Sequence, residues 1–402
     1  MPGQIDAAAS RQTDAAASEV TTAEAVRSVA AAHASAAEDE RRLSAPVVQA
    51  ITQAGLARLF VPDGFGGGHG RFADLLHQVS TIAEGCASAG WCASLFASHP
   101  RMAAFLPPEG RRDLWGDGPD VLISAGVVPG GTVTRCGPGW ELGGEWGFVS
   151  GVDHADWVLV SGWEPGTTER RLRFFAVPRD ECGVRDTWFT TGMRGTGSKT
   201  VVLDGVAVPA HRSFAQQDVL AGAPDPDPPF LRVPFRLVNG LTMIAPALGA
   251  VRGALHRWTE WVAGKTEMSM GRVVQARDKA TVQAALARSA TAVDAAELLM
   301  GRIARIADSG REVTPGDVAR SHRDYAVVAE YLVEAVERLY RVSGARAQML
   351  GGPVERAWRD VHAATAHAAL QFDTNTAVYA GHVLRAAARA EPVDRRDHDN
   401  RA

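Results

Sequence analysis

Four stretches of this sequence carry side chains able to move protons or to seat a flat, polar ligand. SAGWCASLFASHP (88–100) is a run of small residues around Trp91, closed by His99-Pro100. WELGGEWGFVSGVDHADWVLVSG (140–162) sets Trp146, Phe148 and Ser150 at every second position. In an extended strand such residues share a face, which would place aromatic planes beside a hydroxyl. TWFTTGMRGTGSKTVVLDGVAVPAHR (187–212) surrounds Thr196 and Ser198 with glycine, and GGPVERAWRDVHAATAHAALQFD (351–373) puts His367 eight residues after Arg359. An imidazole titrates close to neutrality, as proton transfer at physiological pH requires. Each group also has a plainer use. A strand serine is usually a satisfied hydroxyl, a histidine before proline often caps a helix end, and a histidine in an alanine-rich helix is often a buried structural group.

Other chemistries find no support. GFGGGHG (64–70) lacks the third glycine of a dinucleotide-binding GxGxxG, because His69 occupies that position, and it follows a helical pattern rather than a strand. There is no GxxxxGK[ST], HExxH or GxSxG. His362 and His367 are five residues apart, about 140° around a helix, a poor arrangement for sharing a metal. Four cysteines (Cys86, Cys92, Cys136, Cys182) form neither a CxxC pair nor a zinc spacing, as expected of a reduced cytoplasmic protein. With 402 residues, a net charge of −4 and no basic block, the chain reads as globular, with neither nucleic acid nor membrane as its partner.

The elements that must position these residues fall in three parts. Residues 1–20 read as a disordered tail and 21–119 as a helical domain, with apolar residues at helical spacing around Val26, Val47, Ile51 and Phe72. Near 120 the period drops to two. VLISAGV (121–127), TVTRC (132–136), DWVLVSGW (156–163), RLRFFAV (171–177) and KTVVL (199–203) predict a middle β domain over 120–220, an antiparallel barrel or sandwich. Asp204-Gly205 carries a hairpin signal. A proline-rich linker (221–234) leads to four amphipathic segments near 237–264, 273–309, 315–342 and 356–389, a four-helix bundle over 235–390 before a tail at 391–402. Thr314-Pro315 suits the start of the third segment and Gly344 its end. The class is α+β.

Taken as a set, FVSGVDHADW, GMRGTGSKTV and RDVHAATAH, in the order α, β, α, resemble the acyl-CoA dehydrogenase superfamily over residues 22–390. Within it, the chain looks most like the oxygenase components of two-component, reduced-flavin-dependent monooxygenases. The dehydrogenases need a carboxylate base. Gly351-Gly352 and Arg359-Asp360 match their pattern, yet 356–390 contains no glutamate, leaving only Glu260 or Glu267 for that role. The resemblance therefore implies an oxygenase.

The implied chemistry uses reduced FMN or FAD from a separate NAD(P)H:flavin reductase. Dioxygen adds at flavin C4a, and the hydroperoxide hydroxylates a small aromatic, phenolic or polyketide-like substrate. By the same resemblance Ser150 bonds flavin N5, His367 lies near C4a, and His99 faces the substrate and takes a phenol proton. Trp91, Ala125, Gly126, Val127, Phe148 and Val149 frame the ring, and Arg272 or Arg346 meets the flavin phosphate, from a neighbouring subunit of a homotetramer. His154 and His362 are given supporting or surface roles. The other readings are an acyl-CoA dehydrogenase with bound FAD, an amino-sugar N-oxygenase of the same fold, and a degenerate scaffold without flavin.

Overall fold

The computed structural model describes residues 23–68, 70–166, 170–223, 228–352 and 354–389. The expected tails at 1–20 and 391–402, and residues 224–227 of the expected linker, lie outside them.

Six helices come first: α1 (23–32), α2 (Ala34–Glu40), α3 (Ala45–Gln53), α4 (Phe72–Gly85), α5 (Ala87–Ala103) and α6 (Pro108–Trp115). Helix α5 does not stop at His99-Pro100. It runs on for three residues past the proline, so His99 is an interior helical residue and not a helix-end cap.

The middle of the chain is two open four-stranded sheets rather than a barrel. One has the order β1 (Ile123–Gly126), β4 (Trp157–Trp163), β5 (Leu172–Pro178), β8 (Ser213–Ala215). The other has β2 (Thr132–Cys136), β3 (Gly139–Val149), β7 (Lys199–Val208), β6 (Gly183–Arg185). Trp140, Leu142, Trp146, Val158, Phe175 and Val201 fill the core between them, which is the sandwich half of the expectation. The all-antiparallel half is corrected at one place, because β1 and β4 run parallel. Between them the chain crosses to the other sheet for β2 and β3 and returns in its original direction.

Asp204-Gly205 is likewise not a hairpin. The strand β7 continues through it, and Gly205 (φ +64°) supplies the extra residue of a bulge opposite Gly143.

After α7 (Gln216–Ala221) come α8 (Phe235–Ala263), α9 (Ala280–Asp308), α10 (Pro315–Val342), α11 (Glu355–Thr365) and α12 (Phe372–Arg389). Thr314 and Asp317 form a reciprocal capping box at the start of α10, as the Thr-Pro pair predicts. Two boundaries differ from the sequence reading. Residues 273–279 are not α-helical: Thr266–Ser269 (β9) and Arg272–Gln275 (β10) pair as a hairpin, followed by a single 3-10 turn at Ala276–Asp278. The last expected helix is broken between α11 and α12 by a tight turn at Ala368–Leu370, with His367 at its head. Asn375 holds that break, its amide donating to the Ala369 (3.0 Å) and Gln371 (2.7 Å) carbonyls.

One apolar core joins the first helices to the bundle through α4, α5 and α8. By length and apolar composition α8 could cross a membrane, but 89% of its most apolar window is buried within the protein. Close approach of α4 to α8 depends on Gly249, where an added Cβ would lie 2.0 Å from the Ser80 carbonyl oxygen. Gly249→Ala is therefore expected to destabilise the fold by about 1–3 kcal/mol, read as a lower urea midpoint. An unchanged midpoint would show that the two helices can part without cost.

Candidate functional site

The first helices, the β sandwich and the bundle meet around Ser150. The strand β3 carries a bulge between Trp146 and Val149, with Phe148 in the left-handed region (φ +61°). That bulge breaks the alternation the sequence suggested. Trp146 is buried in the sandwich with its indole N–H donating to the Ser161 carbonyl (2.7 Å), whereas Phe148 is 76% exposed and packs edge-on against Trp188. Val149 points into the sandwich core and can offer a ligand only its backbone. Ser150 lies just past the strand end. Gly151 (φ +72°) turns the chain there and donates its N–H to the Thr196 carbonyl (2.8 Å).

Ser150 is 7% exposed and sits in a chain of polar groups. The Trp91 Nε1–H reaches its Oγ at 3.2 Å. Ser150 Oγ lies 2.7 Å from Ser198 Oγ, which is 2.7 Å from Thr196 Oγ1, and the Thr196 hydroxyl donates to the Met193 carbonyl (2.9 Å). The His367 ring lies 5.8 Å from Trp91, centroid to centroid, and tilted by 60°. Thus Trp91, Ser150 and His367, from three separate parts of the chain, are brought together.

The two histidines have opposite hydrogen-bonding faces. His367 Nδ1 accepts from the Ala369 N–H (3.2 Å), which leaves the proton of the neutral ring on Nε2 as a donor. His99 Nδ1–H donates to the Ile123 carbonyl (2.8 Å), which leaves Nε2 as a bare acceptor. Burial holds both neutral: it lowers the His367 pKa and pushes that of His99 down to about 4. At His99 this leaves a neutral imidazole that is a weaker base than an ordinary histidine and has Nε2 as an acceptor. The strand β1 connects this histidine to the hydroxyl cluster, since Ser124, next to Ile123, donates its hydroxyl to the Ser150 carbonyl (2.8 Å). Ala125 and Gly126 follow buried on the same strand, and Val127 is exposed beyond it.

Sequence reasoning used Arg359-Asp360 only as a match to a family pattern. In the structure the pair ties α11 to the loop bearing Thr196 and Ser198. Asp360 Oδ1 accepts the Met193 N–H (2.6 Å), and Arg359 donates to the Thr191 carbonyl (2.7 Å) while pairing with Glu38. Burial pushes the Asp360 carboxyl up to about 6. Asn375 and Ser124 were not noticed, since a lone asparagine in a helix and a lone serine in a short strand carry no spacing signal.

Other expected residues stay apart from this cluster. Arg272 is exposed on the β9–β10 hairpin and makes no hydrogen bond to it among the described residues; the side chain of Arg346 lies outside them. His154 bonds the Leu43 carbonyl (2.9 Å), and His362 packs against Trp358 with the rings tilted by 46°. The two carboxylates kept for a dehydrogenase base are both committed elsewhere. Glu260 is exposed beside His256, and Glu267 is held by Lys265 and Lys279, which lower its pKa.

Comparison with known proteins identifies the family and the fold. Residues 241–372 match the acyl-CoA dehydrogenase C-terminal domain. The oxygenase component of an FADH2-dependent resorcinol hydroxylase from Rhizobium sp. (strain MTP-10005) is 31% identical, over 84% of this chain and 86% of the relative. The crystal structure of a 3-HSA hydroxylase from Rhodococcus sp. RHA1 superimposes with a TM-score of 0.85 at 28% identity, covering 91% of this chain and 97% of that one. XiaF from Streptomyces sp., solved with FADH2 and glycerol, gives 0.87 at 26% identity, covering 96% and 98%. The chain belongs to the family of flavin-dependent monooxygenase oxygenase components, built on the acyl-CoA dehydrogenase fold.

Proposed function

We propose that this protein hydroxylates a small aromatic substrate, phenolic or polyketide-like, using dioxygen and reduced FMN or FAD supplied by a separate NAD(P)H:flavin reductase. The observation that carries the reading is the junction of Trp91, Ser150 and His367, where an indole, a hydroxyl and an imidazole come together from three parts of the chain. These groups fit a flat heterocycle with polar edge atoms. Ser150 would meet flavin N5, with Trp91, Ala125, Gly126, Val127, Phe148 and the Val149 backbone around the ring. When bound, the reduced flavin supplies the electrons that activate dioxygen for insertion into a ring C–H bond.

The remaining work falls to the protein's own side chains. His367 presents Nε2–H as a donor toward oxygen held beside the ring. His99 presents Nε2 as an acceptor that orients a phenolic O–H. The apolar α8 wall excludes water from the reacting atoms. Arg272, exposed and without an ion pair among the described residues, suits a flavin phosphate held by a neighbouring copy, with Arg346 as the second choice. A homotetramer is supported by exposed apolar side chains: Met268, Met270 and Val273 on the β9–β10 hairpin, Leu350 in the loop before α11 and Leu384 on α12.

The test loads the protein anaerobically with reduced flavin, then adds isotope-labelled dioxygen and a panel of phenols. We expect one labelled oxygen in the product. In Ser150→Ala we expect the product per flavin oxidised to fall about tenfold or more, with hydrogen peroxide released instead. Tight FAD bleached anaerobically by an acyl-CoA, with no labelled product, would establish a dehydrogenase instead.

A further inference from the structure

Among the described residues the hydroxyls of Ser150, Ser198 and Thr196 form a linear hydrogen-bond chain, and the Met193 carbonyl that ends it also accepts the Trp188 Nε1–H (3.0 Å) and the Thr196 N–H (3.2 Å). At one end the Trp91 indole N–H, which can only donate, meets Ser150 Oγ at 3.2 Å. At the other the Met193 carbonyl, which can only accept, takes the Thr196 hydroxyl at 2.9 Å. Between them stand the two 2.7 Å contacts, Ser150 to Ser198 and Ser198 to Thr196.

Each hydroxyl has a single hydrogen, so the polarity propagates. With the Thr196 hydroxyl donating to Met193, Ser198 donates to Thr196. With its own hydrogen so engaged, Ser198 can only accept from Ser150. The hydrogen of Ser150 therefore points away from its open side, where one lone pair is left. Ser150, Thr196 and Ser198 are 7%, 2% and 4% exposed, so bulk water offers no alternative partner, and like-directed bonds in such a chain reinforce one another.

We infer that Ser198 and Thr196 are positioning residues that hold Ser150 as an obligate hydrogen-bond acceptor and thereby select reduced flavin over oxidised flavin. The inference rests on the proposed placement of flavin N5 against Ser150. Reduced flavin carries an N5–H that such an acceptor binds. Oxidised flavin offers only a lone pair at N5, which an acceptor repels. The protein would then retain the reduced coenzyme delivered to it and release the oxidised form after turnover.

The test is equilibrium binding of FMN and FAD, each in its oxidised form and, anaerobically, its reduced form, to wild type and to Ser150→Ala, Ser198→Ala, Ser198→Thr and Thr196→Val. Ser198→Ala and Thr196→Val free the Ser150 hydrogen to turn toward the ligand. In both, the ratio of the oxidised to the reduced dissociation constant should fall about tenfold, roughly one hydrogen bond. For a two-electron couple this lowers the bound flavin's midpoint potential by about 30 mV. Ser198→Thr, which keeps the hydroxyl, should keep the ratio.

A merely structural role predicts that both constants rise together at constant ratio. That result, in Ser198→Ala and Thr196→Val that retain wild-type circular dichroism, would overturn the inference while leaving the flavin site intact if Ser150→Ala still weakens the reduced form. Ser150→Ala with neither constant changed would instead remove flavin from Ser150, and both readings would fail.

Discussion

His99→Ala should slow aromatic hydroxylation by about a hundredfold, the lower end of what a positioned acid or base supplies, while binding of reduced flavin stays as in wild type. The low end is expected because the ring is a weak base. Burial pushes its pKa down to about 4, and the bond from Nδ1–H to the Ile123 carbonyl leaves Nε2 as an acceptor. The substitution His99→Gln, which carries an acceptor oxygen on a chain of similar reach, should recover most of the loss. For the same reason the hydroxylation step should show no inflection from this residue between pH 5 and 9. A wild-type inflection near pH 6.5 that vanishes in His99→Gln would show that the imidazole titrates normally and takes the phenol proton.

The same shift predicts a stability profile. In the unfolded chain the ring has its ordinary pKa of 6.5, against about 4 in the fold. Between those values the unfolded state binds more protons. The folded state is therefore at full strength above pH 6.5 and loses about 3 kcal/mol as the pH falls to 4. Asp360 opposes this over part of the window. Its carboxyl is raised from 3.8 to about 6, so protonation below pH 6 favours the fold. Urea midpoints across pH 4 to 7 should therefore fall less steeply in His99→Gln than in wild type. Parallel curves would mean that His99 is solvated.

The second large effect is expected at Asp360. Asp360→Ala leaves the buried Met193 N–H without an acceptor and removes the carboxylate beside Arg359 and Arg356, at a cost of about 1–3 kcal/mol. The loss reaches the site because Met193 also carries the carbonyl that ends the Thr196–Ser198–Ser150 chain. Flavin binding should weaken together with stability. Asp360→Asn keeps an acceptor oxygen in place and should restore both, since the carboxyl sits close to its neutral form near pH 6. If Asp360→Ala weakened stability alone, the loop would be held well enough by Arg359 and its bond to the Thr191 carbonyl.

Much of this was legible in the chain itself. The change of period near residue 120, the capping pair Thr314-Pro315 and the four motif stretches are local properties, and local sequence specifies them through side-chain alternation, fixed proline φ and hydroxyl capping. The family followed from three short motifs in a set order. What local pattern could not convey is phase and closure. A single bulge before Val149 put Trp146 and Phe148 on opposite faces, although both still look like strand residues. A sandwich and a barrel share the same strand signals, and only long-range pairing shows that the two sheets stay open.

His367 shows the division most sharply. The sequence by itself determined that an imidazole would follow an Arg-Asp pair at a fixed spacing, and helical periodicity placed it inside a continuous helix. Tertiary structure broke that helix. Asn375, held by His322 from α10, donates its amide to the carbonyls of Ala369 and Gln371, and the imidazole lies beside Trp91. The same holds for His99, whose proton affinity was set by the desolvation of a packed helix and by a carbonyl on a strand 24 residues away. Residue type and spacing decide which groups can do chemistry. Their protonation, tautomer and direction depend on burial and on partners distant in sequence, so only the assembled fold decides them.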